Sequence, residues 1–109
     1  MNFKEYQEQS KETAVYPIIT HRVIYPSLGL VSEAGEVAGV IKKIFRDKEG
    51  IFSEEDLANI KKELGDVLWY ISQVATDLNL NLEEIAKANI KKLQSRKARG
   101  VLGGSGDNR

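Results

Sequence analysis

Two short acidic pairs, Glu33-Ala34-Gly35-Glu36 and Glu63-Leu64-Gly65-Asp66, are the residues of this sequence best suited to chemistry. Each lies in a stretch with helical apolar spacing. Residues at i and i+3 on a helix are neighbours, with Cβ atoms about 5–6 Å apart. Two such pairs on packed helices would gather four carboxylates. At an effective dielectric of ~20, two carboxylates ~5 Å apart repel by roughly 3 kcal/mol, so the cluster calls for a cation. Glu33 sharpens the point, because it falls inside the stripe formed by Leu30, Val37, Val40, Ile41 and Ile44. Burying an unpaired charge is costly. An all-oxygen donor set of Glu33, Glu36, Glu63 and Asp66 suits Mg²⁺ or Mn²⁺. The chain has no Cys and a single His, His21, which excludes thiolate sites, di-iron sites built on Glu-x-x-His and histidine-cluster phosphohydrolases.

A second constellation complements the first. Asn89, Lys92 and Arg96 recur at spacings of three and four, forming one line along the last predicted helix. Phosphates that bridge acid-held Mg²⁺ need positive charge on their far side, and Lys43 could add to it. Acid-held metal facing a basic helix is a layout for cutting a phosphoric anhydride, with a metal-activated water as nucleophile. Each piece alone has a plainer reading. A lone Glu-x-x-Glu is usually a solvated face, and basic residues near a helix C-terminus complement the helix dipole. The two acidic pairs occurring together carry the functional reading. Tyr70, one turn beyond Asp66, can line the site. Trp69 reads either as an interface residue or as part of a base pocket. His21 reads as a structural or surface histidine before it reads as a catalytic base.

The elements that must position these residues are helical throughout. Asn2 and Glu5 form a capping-box pattern for a first helix to about Thr13. Tyr16 to Pro26 carries two prolines among apolar residues and reads as a packed, largely non-helical connection. Ser27 is the expected cap of a second helix ending near Arg46, on which Gly35 and Gly39 share a face suited to close contact with another helix or subunit. Lys48-Glu49-Gly50 is a turn. Ser53 caps a third helix, on which Leu57, Ile60, Leu64, Val67, Leu68, Ile71, Ala75 and Leu78 keep the apolar period to about Asn79. Asn81 caps a fourth helix that Gly100 ends, and no strand pattern intervenes. The expectation is an all-α, four-helix-bundle-like domain over residues 1–99, followed by a Gly-rich tail, 100–109, with no regular element and a composition that favours disorder. The alternative is a tail whose backbone N–H groups and Arg109 close over a bound ligand.

Composition narrows the partners. The 109 residues fit one domain, whose small core makes oligomerisation a plausible supplement. Sixteen basic residues balance sixteen acidic ones, which speaks against nucleic acid or an anionic membrane as the partner. Met1-Asn2-Phe3-Lys4-Glu5 has no signal-peptide pattern, so a cytoplasmic protein is expected.

Glu33-Ala34-Gly35-Glu36-Val37-Ala38 followed by Glu63-Leu64-Gly65-Asp66-Val67-Leu68 resembles the MazG-like nucleotide pyrophosphohydrolases of the all-α NTP pyrophosphatase superfamily, whose signature is ExxE then ExxD on two helices. The likeness runs from Leu28 to about Arg99 and includes Asn89-x-x-Lys92-Leu93-x-x-Arg96; the ending Gly106-Asp107-Asn108-Arg109 resembles the tail of short members. The resemblance implies Mg²⁺-dependent cleavage of a nucleoside triphosphate between its α and β phosphates, giving the monophosphate and pyrophosphate, as in clearing unwanted nucleotides. It implies Glu33, Glu36, Glu63 and Asp66 as metal ligands, Asn89, Lys92 and Arg96 near sugar or phosphate, and His21, Tyr25 and Tyr70 around the base. It also implies a homodimer or homotetramer whose active bundle a second subunit completes. Within the superfamily, a dUTP or dCTP specialist and a phosphoribosyl-ATP pyrophosphohydrolase are alternatives. From another class, a non-catalytic helical interaction module is the competitor.

Overall fold

The computed structural model describes residues 1–109 and contains four α-helices and no strand: α1 (Phe3–Ser10), α2 (Ile24–Lys48), α3 (Glu54–Asp77) and α4 (Leu82–Ala98), with a 3₁₀ turn at Lys11–Thr13. The all-α expectation holds. Helices α2 and α3 form the principal packed pair, and α1 lies across α3 and α4. Only a short connection joins α2 to α3, which makes them antiparallel neighbours. Glu49 and Gly50 both take left-handed backbone (φ 56° and 75°), and the Gly50 N–H donates to the Ile44 carbonyl, closing α2.

The start of α3 is fixed by a reciprocal cap. Ser53 Oγ accepts from the Asp56 N–H at 3.1 Å, and Asp56 Oδ2 accepts from the Ser53 N–H at 3.0 Å. Lys48 Nζ donates to both Asp56 oxygens at 2.9 Å, tying the end of α2 to the beginning of α3. These donors, the lysine first, hold the Asp56 carboxyl down to about 2. The register of the acidic motifs therefore depends on a capped, ion-paired corner. At the next corner Asn79 takes φ 58°, and Asn81 Oδ1 accepts from the Glu84 N–H to cap α4.

Ser27 is not the cap of α2. The helix begins at Ile24, takes Pro26 into its first turn, and uses Ser27 Oγ to donate to the Val23 carbonyl at 2.7 Å. Proline fits there because first-turn N–H groups have no intrahelical acceptor. The expected non-helical stretch thus ends at Val23, where the Val23 N–H donates to His21 Nδ1 at 3.1 Å.

The core also departs from the expected stripes. Among the buried residues Ile44, Ala75 and Leu82 are apolar, whereas Gln7, Ser10, Asp56, Ser72, Gln73 and Arg96 are polar or charged. Gln7 alone binds three groups at the α3–α4 corner: Nε2 donates to Thr76 Oγ1 and the Leu80 carbonyl, and Oε1 accepts from the Leu82 N–H. Ser10 and Ser72 share a hydroxyl contact of 2.9 Å, and Gln73 Nε2 donates to Ser10. Leu57 and Leu64, expected to face the core, remain 55% and 53% exposed. The radius of gyration is 16.9 Å, against about 13 Å for a globular domain of this length. The chain has an open shape with apolar helix faces left uncovered.

The tail, read from its composition as disordered, is organised by its last residue. The Arg109 guanidinium donates to the carbonyls of Val101, Leu102, Gly103 and Gly106, and Arg99 Nη2 donates to the Arg109 carbonyl. Gly100, Gly104 and Gly106 supply the positive φ values that let the chain curl around it.

Candidate metal centre and aromatic cavity

Because α2 and α3 run antiparallel from one capped corner, their acidic motifs meet. Glu33, Glu36 and Glu63 present carboxylate oxygens that all lie within 4.8 Å of one another. Glu33 and Glu63 are half-buried, and the Oε2 atom of each is buried without a hydrogen-bond partner. Glu36 is exposed at the rim, and its carboxyl is raised above the usual range by the hydrogen bond and charge of Glu63, then by desolvation and the charge of Asp66. Such crowding is unfavourable for the protein alone.

The residues fit a hard divalent cation. Buried carboxylate oxygens with no donor are what a cation would coordinate, and the donor set is all oxygen with neither imidazole nor thiolate. Asp66 does not join the tight cluster; it is exposed and lines the adjoining cavity with Glu33. Glu36 also lines a second groove, with Ser32, Gly35, Gly39, Val40, Lys42 and Lys43.

The cavity of about 450 Å³ beside the cage is lined by Thr13, Glu33, Asp66, Trp69 and Tyr70. Tyr70 occupies the place its spacing predicts, and Trp69, for which two readings stood open, is on the cavity wall. Trp69 Nε1 donates to Thr13 Oγ1 at 3.0 Å, and the Trp69 and Tyr70 rings meet edge to face at 5.1 Å. Burial raises the Tyr70 phenol, helped by Tyr25 and by the charges of Glu33 and Asp66. Tyr25 does not line this cavity; it stacks on Tyr16 with ring centroids 5.2 Å apart. His21 is exposed and shapes the entry to α2 through its Nδ1, so it does not line the cavity. Tyr16 and Thr13 carry no assignment from the sequence because neither belongs to the acidic pairs or to the basic line on α4. Only the aromatic content of the proline-bracketed segment pointed that way.

Gly29 seats this wall. A Cβ there would lie 2.2 Å from the Tyr70 ring, so the ring packs directly on the α2 backbone. Gly29→Ala is expected to push Tyr70 into the cavity and destabilise the fold by about 1–3 kcal/mol. Thermal unfolding checks it.

The cationic line on α4 does not reach the cavity within one chain. Asn89 is exposed. Lys92 Nζ and Arg96 Nη2 instead approach the Asp107 carboxylate at 3.9 and 3.7 Å, and Arg96, 5% exposed, donates to the Asp107 carbonyl at 2.6 Å.

The family model of the MazG nucleotide pyrophosphohydrolase domain matches residues 25–101, a span that holds both acidic motifs and α4. The chain belongs to the MazG family. A curated relative, the "Gene 37 protein" of Mycobacterium phage L5, is 45% identical over 114 residues, an alignment covering 100% of each chain. No solved structure matches. The MazG match includes the cage, Trp69 and Tyr70, and leaves α1, Thr13 and Tyr16 outside it.

Proposed function

We propose that this MazG domain is a Mg²⁺-dependent nucleoside triphosphate pyrophosphohydrolase, cleaving between the α and β phosphates to release the nucleoside monophosphate and pyrophosphate. The observation that carries this reading is the cluster of Glu33, Glu36 and Glu63 oxygens, two of the side chains having a buried oxygen without a partner. Glu33, Glu36 and Glu63 would hold the ion, with Asp66 a candidate fourth ligand from the adjoining cavity. Mn²⁺ fits the same donor set. Bound there, the cation supplies charge for the polyphosphate and lowers the pKa of a coordinated water. The glutamates would also orient the attacking water by accepting a hydrogen bond from it, and Glu36, at the exposed rim, would be best placed to take its proton and pass it to solvent. Trp69 and Tyr70 offer ring faces and edges to the nucleoside next to the carboxylates.

The active unit in this proposal is a homodimer or homotetramer. Support comes from the uncovered apolar residues Leu28, Val31, Leu57 and Leu64, and from Gly35, Gly39 and Gly65. Each of those glycines costs ~1 kcal/mol against Ala in a helix, and a Cβ on any of them would meet nothing within 4 Å in the protomer. A second copy packed on these faces accounts for both features and brings basic residues of another α4 to the phosphates. No helix is long and apolar enough to cross a membrane. The test is pyrophosphate release from a panel of NTPs and dNTPs, with and without a chelator. Mg²⁺-dependent release of pyrophosphate is expected, and chelator-insensitive turnover would remove the metal from the account.

A further inference from the structure

Asp77 is the last residue of α3, and its side chain is 4% exposed. Both circumstances disfavour a carboxylate. The C-terminal end of a helix carries the negative pole of the dipole, and burial removes water from the charge. Two groups from the segment before α2 offset this: the Tyr16 hydroxyl donates to Asp77 Oδ2, and Arg22 Nε donates to Oδ1 at 3.4 Å. The Arg22 guanidinium also lies over the Tyr16 ring, 5.2 Å from its centroid. The segment holding Tyr16 has no regular secondary structure, so these contacts and its ring neighbours fix it.

From Tyr16 a run of rings leads to the cavity. Tyr16 stacks on Tyr25 at 9° between planes, and meets Trp69 edge to face at 6.1 Å and 87°. Trp69 in turn abuts Tyr70, whose other side rests on Gly29. Asp77 is eleven residues beyond Asp66, about 16 Å along the helix, too far to touch a nucleotide held at the cage. Yet it anchors one end of the ring series whose other end is the cavity wall.

We infer that Asp77 is a positioning residue for the nucleoside subsite: through Tyr16 it sets the orientation of Trp69, and so the fit of the base in the cavity. This rests on the pyrophosphohydrolase reading of the same cavity. Burial, followed by the Asp77 hydrogen bond and charge, pushes the Tyr16 phenol up to about 12, so it stays a donor throughout the neutral range.

Asp77→Ala, Asp77→Asn and Tyr16→Phe test the inference in the full chain, using the nucleotide that the wild-type protein hydrolyses best. Asp77→Ala and Tyr16→Phe are expected to raise KM about 10-fold with kcat within about twofold, because stacking energy is lost while the cage is intact. Asp77→Asn keeps an acceptor for Tyr16 and is expected to recover most of the loss. Trp69 is the sole tryptophan, so its near-ultraviolet circular dichroism reports the ring directly. That signal should weaken in Asp77→Ala and Tyr16→Phe, with Mn²⁺ affinity unchanged. Wild-type KM and an unaltered Trp69 signal in both variants would overturn the inference alone. Parallel loss of kcat, Mn²⁺ binding and helix content in Tyr16→Phe would overturn it in favour of a purely structural role. A wild-type protein that hydrolyses no nucleotide would overturn the pyrophosphohydrolase reading and this inference with it.

Discussion

Glu63→Gln is expected to lower kcat/KM for pyrophosphate release by more than about 10²-fold, because even partners that only orient a metal ligand are worth 10–100-fold. Glutamine keeps the shape of the side chain but replaces an anionic acceptor with a neutral amide whose nitrogen cannot ligate a cation. The fold should tolerate this. Glu63 Oε2 has no hydrogen-bond partner to lose, and Glu63 contributes the leading hydrogen bond and charge that disturb Glu36. Without a metal, the variant should therefore unfold at a temperature equal to or above that of the wild type. Activity and stability moving in opposite directions is the signature of carboxylates gathered at a cost to the fold. A structural acidic pair would lose stability when neutralised, and circular dichroism beside a turnover assay separates the two outcomes.

Mg²⁺ is expected to raise the unfolding temperature of the wild-type protein by on the order of 10 °C at a concentration about 100-fold above its dissociation constant, since ligand binding to the folded state alone is then worth about 2.7 kcal/mol. The effect carries a pH dependence with a definite sign. The Glu36 carboxyl is raised above its ordinary value of 4.5 in the folded chain. Between that value and the raised one, the folded state binds more protons than the unfolded state. Metal-free stability from this group therefore falls as pH rises through the window. A cation competes with the same proton, so Mg²⁺ stabilisation should be weak near pH 4.5 and reach its full size above the raised value. Glu63→Gln should abolish most of it. Thermal unfolding in Mg²⁺ and in chelator over a pH series checks this. A Mg²⁺ shift of equal size in wild type and Glu63→Gln would place the ion elsewhere.

The helices and the pairing within each acidic motif were legible because local rules govern them. Ser53, Asn81 and Asn2 cap where their side chains can reach an N–H two or three residues on, and i, i+3 spacing put Glu33 beside Glu36 before any packing was known. What long-range packing decides could not be read so directly. Ser27 looks like a cap, but a helix that admits Pro26 in its first turn starts earlier. The apolar period of α3 identifies a face without saying what covers it, and in one protomer Leu57 and Leu64 stay open. Gln7, Ser10, Ser72 and Gln73 form a polar core that periodicity counts as surface. Arg109 folds the Gly-rich tail through contacts that composition does not encode. Arg96, expected at the phosphates, is engaged by that tail within its own chain. Gly65, unexplained between Glu63 and Asp66, meets nothing within the chain that would require a glycine there.

The central claim is that the cage of Glu33, Glu36 and Glu63 serves cleavage between α and β phosphates. Phosphorus NMR of a dNTP reaction run with the purified protein in Mg²⁺ tests it most directly. The account predicts nucleoside monophosphate and pyrophosphate appearing in equal amounts, with neither appearing in chelator or with Glu63→Gln. Nucleoside diphosphate and orthophosphate as the products would contradict it.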